Sequence, residues 1–368
     1  MRPWISLAGI VATPVLGADT QSRCSFSAEH PLRYAATHLN GAKIQIDGLL
    51  NDDAWSDAPW TTSFNDIQGP KFWSQPWFRT QVKMRYDESF LYVGAYLEET
   101  AVWAKLTHRN DVIFNDNDFE IFIDPAGTTH NYKEFEVNAL NSTWNLFLNK
   151  PYRDGGGENS TRVDPTHGFD MFGKGLQSAV FVKGPINDPN QRLHYWTVEI
   201  ALPLKELAFN SSVAVPPKDK SWWRINFSRV EWLVQVVNGA YEKIPNLPEE
   251  NWSWTSQGAI AMHMPEKWGY LQFRKASSAD PVPEDPEFPA RYLAFAVYYA
   301  QKAYFDKNKA YATSLDALRP FITSKDVVSC LKVDYLKVTA DGFYAGVSSN
   351  GYTAHIRYDS YTYVTRAT

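Results

Sequence analysis

The run Asn115-Asp-Asn-Asp-Phe-Glu-Ile-Phe-Ile-Asp124-Pro, followed by Tyr132-Lys-Glu-Phe-Glu-Val-Asn138, sets carboxyl groups at alternate positions of two short apolar segments. In an extended strand successive side chains point to opposite sides. Phe119, Ile121 and Ile123 then share one face, and Asp116, Asp118 and Glu120 the other. In the second run Phe135, Val137 and Ala139 point inward, while Glu134, Glu136 and Asn138 point outward. The stretch Pro125 to Asn131, with Gly127 inside it, fits a hairpin loop between the two. Like charges opposite each other on neighbouring strands are destabilising. Such a pair needs an offset: a bound cation, nearby Arg and Lys, or protons held at raised carboxyl pKa values. Carboxylates on adjacent strands can lie about 5 Å apart, close to the separation of acid and nucleophile in retaining glycosidases, so Glu120 and Glu136 are a candidate catalytic pair. The neighbouring set Asp116, Asp118 and Glu134 suits a hard, oxygen-seeking cation such as calcium. The remaining readings are a binding face whose carboxylates accept hydrogen bonds from sugar hydroxyls, and a solvated acidic face with no ligand.

Other segments could complete such a face. Asn149-Lys-Pro-Tyr-Arg-Asp-Gly-Gly-Gly157 presents Tyr152, Arg153 and Asp154 on a glycine-rich loop after the segment containing Trp144, and Arg153 could grip a carboxylate in bidentate fashion. Trp103, His108 and Arg109 lead into the acidic strand and could form a rim, with Trp103 expected in the core. Arg224, Asn226 and Ser228 alternate along one polar face of the run Trp223–Trp232. His263 between Met262 and Met264 raises a haem or copper reading, but the chain has no Cys-X-X-Cys-His and no His-rich cluster. A serine-hydrolase reading lacks its Gly-X-Ser-X-Gly elbow.

The elements that would hold these residues are short strands. Between Ala42 and Phe273, alternating runs broken by Gly, Pro, Asn and Asp predict an antiparallel β-sandwich or barrel. The strands expected are Lys43–Ile46, Arg79–Tyr86, Phe90–Glu98, Phe119–Asp124, Glu134–Ala139, Trp144–Leu148, Leu176–Val182, Trp196–Ala201, Trp223–Trp232 and Trp268–Phe273, with short helices after Asp52 and at Pro203–Leu207. A linker rich in Pro, Ser, Asp and Glu covers residues 275–289. Beyond it, in residues 290–368, Leu293, Ala296, Val297, Ala300 and Tyr304 fall at helical spacing, and strand-like runs follow at Leu331–Val338, Gly342–Val347 and Tyr352–Tyr358. The simplest packing is a small α+β unit, one helix on a short antiparallel sheet.

Composition narrows the function classes. A net charge of −5 leaves no basic field to hold a phosphate backbone, so nucleic-acid binding is not expected. Aromatic residues make up 15% of the chain, which suits a β-rich fold and surfaces that stack on sugar rings. Residues 1–18 have the outline of a secretory signal peptide, followed by an N-terminal segment at 19–41, and no later run is long and apolar enough to span a bilayer. A secreted or extracellular location follows, periplasmic or at the cell surface in a bacterium. There an oxidising compartment would permit a bridge between Cys24 and Cys330, the two cysteines of the chain.

Several pieces together carry a family resemblance: Ile46-Asp-Gly-Leu-Leu-Asn-Asp-Asp-Ala-Trp55, Val82-Lys-Met-Arg-Tyr-Asp-Glu-Ser-Phe-Leu-Tyr-Val93, Asp118-Phe-Glu-Ile-Phe-Ile-Asp124, Trp254, and the closing Trp268-Gly-Tyr-Leu-Gln-Phe273. In order and spacing, residues 42–274 resemble the family 9 carbohydrate-binding modules, of the wider DOMON-like group. The resemblance implies a sugar-binding β-sandwich that accompanies polysaccharide-degrading enzymes, in a family where bound calcium is described. It also implies a site in which two Trp rings clasp the sugar. Those places fall at Phe114 and Met262 here; the family's Glu matches Glu120, and the position of its Arg falls at Glu136. The segment Tyr298–Tyr304 with Tyr311–Leu318 looks like the head of type IV pilin-like proteins, without their long apolar helix. The resulting expectation is a polysaccharide- or oligosaccharide-binding protein with a ligand face built from Arg109, Phe114, Asp118, Glu120, Glu136, Asn138, Trp144, Tyr152, Arg153, Asp154, Arg224, Asn226, Met262 and His263. The alternative is a glycoside hydrolase or lyase using Glu120 and Glu136. No cofactor beyond calcium is expected, and the oligomeric state is left open.

Overall fold

Alternation becomes β-structure from Arg33 to Arg274 in the computed structural model, which describes residues 24–367; the candidate leader at 1–18 lies outside them. The strands are β1 (Arg33–His38), β2 (Asn65–Asp66), β3 (Thr80–Tyr86), β4 (Phe90–Glu98), β5 (Asp118–Asp124), β6 (Tyr132–Asn138), β7 (Thr143–Leu148) and β8 (Glu158–Asn159). They continue as β9 (Gln177–Val182), β10 (Tyr195–Pro203), β11 (Trp222–Glu231), β12 (Val234–Val237), β13 (Ala240–Lys243), β14 (Glu250–Ser253) and β15 (Gly269–Arg274). One sheet runs in the order β8-β7-β6-β5-β11-β15-β1-β3-β4-β10-β9, with β14 branching from β11 and β2 from β14, while β12 and β13 form a separate ribbon. Its two halves face each other. Phe119, Ile121 and Ile123 of β5 and Phe135 and Val137 of β6 share one core with Val82 and Met84 of β3, Val93 and Ala95 of β4, and Val198 and Ile200 of β10. The curled sheet is therefore a β-sandwich, with side chains interleaved between its layers.

The strand that joins the halves departs from the sequence expectation. Strand β1 runs parallel to both β15 and β3, so the sheet is mixed rather than wholly antiparallel. Its partners lie far away in sequence, and no hairpin signal announces them. The expected strand Lys43–Ile46 does not form. Two-residue alternation is present there, but the Gln45 N–H donates to Asp52 Oδ2 at 2.8 Å instead of to a neighbouring strand. The short helices appear where expected, as a 3-10 turn at Asp53–Trp55 and a helical turn at Leu204–Leu207.

The chain divides into two units. The larger comprises Pro31–Glu284 and Ile356–Tyr363; the smaller comprises residues 24–30, Asp285–His355 and residues 364–367. A helix of the smaller unit, Phe288–Asn308, packs on an antiparallel sheet of β16 (Lys332–Thr339), β17 (Gly342–Ser349), β18 (Tyr352–Arg357) and β19 (Thr362–Arg366), in that spatial order. Pro289 sits in the first turn of the helix, where a missing N–H costs nothing. Leu293, Val297 and Ala300 of the helix and Phe343, Ala345 and Val347 of β17 are buried. Cys24 and Cys330 form a disulfide within this unit, with Cα atoms 5.6 Å apart. No helix among the described residues is long and apolar enough to cross a membrane.

Candidate functional site

The hairpin β5–β6 pairs Glu120 directly with Glu136 and Asp118 with Asn138. Flanking strands extend that row, because Ser228 of β11 lies opposite Glu120 and Trp144 of β7 lies opposite Glu136. Alternation thus lines up Ser228, Glu120, Glu136 and Trp144 across four strands, on the face away from the sandwich core. Asp124 fixes the register by closing the loop: its Oδ1 accepts the Gly127 N–H at 2.9 Å and its Oδ2 the Thr129 N–H at 2.6 Å.

This acidic face is not a solvated surface. Every residue of β5, β6 and β7 is buried. A second apolar cluster of Ile67, Ile113, Phe122, Tyr132, Trp144, Leu146, Leu148, Met262 and Trp268 occupies the same side. Burial disfavours the charged form of a carboxyl and raises its pKa. Burial, together with the charges of Glu120, Asp116 and Glu134, holds Asp118 well above the usual carboxylate range. Glu134 and Glu136 are likewise raised by burial and by the charge of Glu120. Glu120 is pushed up to about 7 by burial, with the Ser228 hydroxyl pulling the other way.

The carboxyls differ in their partners. Asp116 caps a loop: its Oδ2 accepts the N–H groups of Lys105 and Leu106, both at 2.8 Å, and the Asn138 amide at 3.0 Å. Glu136 Oε2 accepts the Phe114 N–H at 3.2 Å. Asp118 Oδ1 accepts the Val230 N–H at 3.1 Å, but its Oδ2 is buried without a hydrogen-bond partner, and so is Glu134 Oε2. One oxygen from each of Asp118, Glu120 and Glu136 lies within 4.8 Å of the other two.

Around this floor stands an aromatic rim. Phe114 is 39% exposed and Tyr152 44%. Tyr152 rides on the loop after β7, which turns back sharply. A Cβ on Gly156 would lie 1.8 Å from the Lys150 carbonyl oxygen, so only glycine fits there. Arg153 of the same loop is held by Glu266 through two hydrogen bonds of 3.1 and 2.9 Å, and its Nε lies 3.6 Å from Asp154. Trp144 donates its Nε1–H to Glu158 at 3.2 Å, and Arg162 covers the Trp144 ring. His263 shares a hydrogen bond of 2.9 Å between Nδ1 and the Tyr132 hydroxyl, meets the Tyr152 ring edge-on and sets Nε2 3.8 Å from Glu134. Burial, and then the charge of Arg153, lowers its pKa to about 4. The imidazole is therefore neutral over the ordinary working range. Its carbon-bound proton resonances are expected to stay fixed in an NMR titration from pH 5.5 to 8, and a shift centred near 6.5 would contradict the buried, neutral ring.

Other predicted residues serve the scaffold. Arg224 donates to the carbonyls of Glu266 (3.2 Å), Trp268 and Gly269 (3.3 Å) and stacks on Tyr270, tying down the turn into β15. Asn138 and Asn226 direct their amides largely at backbone: Asn138 to Leu106, Leu140 and Ser142, and Asn226 to Thr255. Arg109 pairs with Asp170 and lies over Phe172. Met262 is buried, and its carbonyl accepts the Trp268 Nε1–H at 2.8 Å. Tyr132, Glu158, Glu266 and Trp232, whose Nε1–H bonds the Phe114 carbonyl at 2.9 Å, complete the surroundings and were not foreseen. Strand alternation carries no signal for Tyr132, Glu266 and Trp232, whose partners His263, Arg153 and Phe114 are distant in sequence.

Residues 46–169 match the family model described as "Carbohydrate family 9 binding domain-like". The match covers about a third of the chain and includes β5, β6, β7 and both rim aromatics. Residues 46–169 of the larger unit are thus similar to the family 9 carbohydrate-binding domains, and the match does not extend into the helix-plus-sheet unit. Solved structures overlap the chain loosely. One is a Bacteroides uniformis ATCC 8492 protein provisionally described as carbohydrate-binding, at 13% identity, covering 66% of this chain and 99% of that one with a TM-score of 0.45. A family 9 module from Caldicellulosiruptor kristjanssonii, solved with cellotriose, is 15% identical and covers 69% of this chain and 100% of its own, with a TM-score of 0.41. The same module solved with glucose gives 14% identity, 68% and 100% coverage, and a TM-score of 0.43. No curated protein matches the chain. In the matched stretch, the opposed pair on β5 and β6 is Glu120 and Glu136, two carboxyls instead of the Glu and Arg that the resemblance implied.

Proposed function

We propose that this protein binds carbohydrate at the acidic floor of β5 and β6, between the exposed rings of Phe114 and Tyr152. One observation carries the reading: the stretch that matches a carbohydrate-binding family is the stretch that brings two exposed aromatic rings beside a row of buried carboxyls. Aromatic faces stack on the apolar face of a sugar ring, and carboxyl groups accept from its hydroxyls. The bridge between Cys24 and Cys330 favours an exported protein, because disulfides persist in oxidising compartments.

A glycan array on the full-length protein tests this, with cello-oligosaccharides and acidic glycans included. Tyr152→Ala and Phe114→Ala should each weaken binding by roughly tenfold, the loss of about 1–2 kcal/mol from one stacking ring. Unchanged affinity in both variants would move the binding face elsewhere. A second reading is favoured by the Glu120–Glu136 pair, since a carboxyl pushed up to about 7 can serve as a general acid near neutrality. In that case bound glycans would acquire new reducing ends, and Glu120→Gln would abolish their formation.

A further inference from the structure

Beside the Phe114 rim, positive charge collects on aromatic rings. The Trp232 indole, hydrogen-bonded to the Phe114 carbonyl, carries the ammonium of Lys243 at the end of β13 over its ring, 3.3 Å from the centroid. Lys243 and Lys105 also both lie over the ring of Trp103, each with Nζ 5.8 Å from its centroid. The backbone of Lys105 is fixed as well, its N–H donating to Asp116 at the entry to β5. Among the described residues neither ammonium forms an ion pair. Burial lowers the pKa of Lys243; Asp116 and Glu249 oppose the lowering, and the charge of Lys105 adds to it. The two cations are thus near enough to repel, and no carboxylate touches either.

A second observation points to a ligand. Trp103 is buried, and its Nε1–H has no acceptor. Buried donors are ordinarily satisfied, and leaving one bare is costly. An indole N–H without an acceptor and two ammonium groups without a counter-ion share one deficit, an anionic oxygen. We propose that Lys105 and Lys243, on the platform of Trp103 and Trp232, bind an anionic substituent of the glycan, a uronic acid carboxylate or a sulfate, so that the protein selects acidic over neutral polysaccharide. Rings that hold an ammonium group in place reduce the entropy lost when the ligand arrives. The raised pKa values of the floor carboxyls spare an incoming anion the repulsion of a fully ionised floor. The inference rests on the sugar-binding reading, because the hydrogen bond from Trp232 to Phe114 joins the lysines to the proposed rim.

The test is calorimetric titration of full-length protein with three oligosaccharides of equal length: a neutral cello-oligosaccharide, an oligogalacturonate and a sulfated cello-oligosaccharide. At low salt an acidic oligosaccharide should bind at least about tenfold more tightly than the neutral one, and the advantage should shrink as salt is raised. Lys243→Gln and Lys105→Gln should each weaken the acidic oligosaccharide more than the neutral one, by a factor of about five or more, while Lys243→Arg keeps most of the affinity. The acid that loses more in Lys243→Gln identifies the substituent as carboxylate or sulfate. Should Lys243→Gln fail to fold, Lys105→Gln, at an exposed position, is read alone. Equal affinity for all three oligosaccharides, or equal losses for all three in the lysine variants, overturns the inference and leaves the sugar-binding reading standing. Acidic binding that depends on Lys243 but survives both Phe114→Ala and Tyr152→Ala keeps the lysine site and removes the rim reading alone. Binding of none of the three overturns both.

Discussion

Replacing Arg229 with methionine is expected to destabilise the larger unit by about 3–5 kcal/mol, the range for removing one partner of a buried ion pair. Arg229 is completely buried. Its guanidinium donates to Glu231 at 3.0 and 2.8 Å, to Glu99 at 2.9 Å, to the Glu98 carbonyl at 2.8 Å and to Thr80 Oγ1 at 3.2 Å. It also lies over the rings of Trp252 and Phe78. The group joins β11 to the ends of β3 and β4, across the two layers. Methionine fills much of the volume but leaves Glu99 and Glu231 buried together without a cation. Burial already raises Glu231 well above its ordinary pKa, and Arg229 is the charge that restrains it. Without the guanidinium, the folded-state value rises further above the unfolded one. Stability contributed by the protonated form is then fully present below about pH 4 and lost as pH rises. The penalty should therefore be larger at pH 8 than at pH 5 in urea unfolding. Adding Glu99→Gln and Glu231→Gln should recover part of it. A penalty below about 1 kcal/mol, or one indifferent to pH, would show that the ion cluster does not hold the layers together.

The strands that carry the carboxyls were legible because their pattern is local. Phe119, Ile121 and Ile123 alternate with Asp118 and Glu120, and the short loop to Glu134 leaves little choice of register, so Glu120 opposite Glu136 follows from turn length and period. What covers that face was not legible. Alternating carboxyls read as solvent-facing, yet Ile113, Met262 and Trp268 come from loops far apart in sequence to bury them. The same limit hid the pairing of Arg153 with Glu266, which are 113 residues apart. Strand β1 was missed for a related reason: its identity rests on parallel partners at Tyr270–Arg274 and Arg85–Tyr86, and non-local pairing leaves no trace in a short window.

Chelated protein is expected to lose stability as pH rises from 5 to 8, against the usual trend of carboxylates held by salt bridges. The folded-state pKa of Glu120 is about 7, above its unfolded value, and Asp118, Glu134 and Glu136 are raised as well. A carboxyl raised on folding contributes stability that is complete below its unfolded pKa, near 4, and disappears as pH climbs through the folded value. For Glu120 alone the change is on the order of 3 kcal/mol between pH 4 and pH 8. The other three extend the loss toward higher pH, because their protons are held more tightly as neighbouring carboxyls ionise. Glu136→Gln removes one ionisable group and one repulsion, so at pH 8 in chelator it should be more stable than the parent by about 1–3 kcal/mol. At pH 5, where the parent carboxyls are protonated, the two should nearly coincide. Urea midpoints measured every half unit in chelator check both statements, and a parent curve that rises toward pH 8 would mean the carboxyls ionise freely in the folded state.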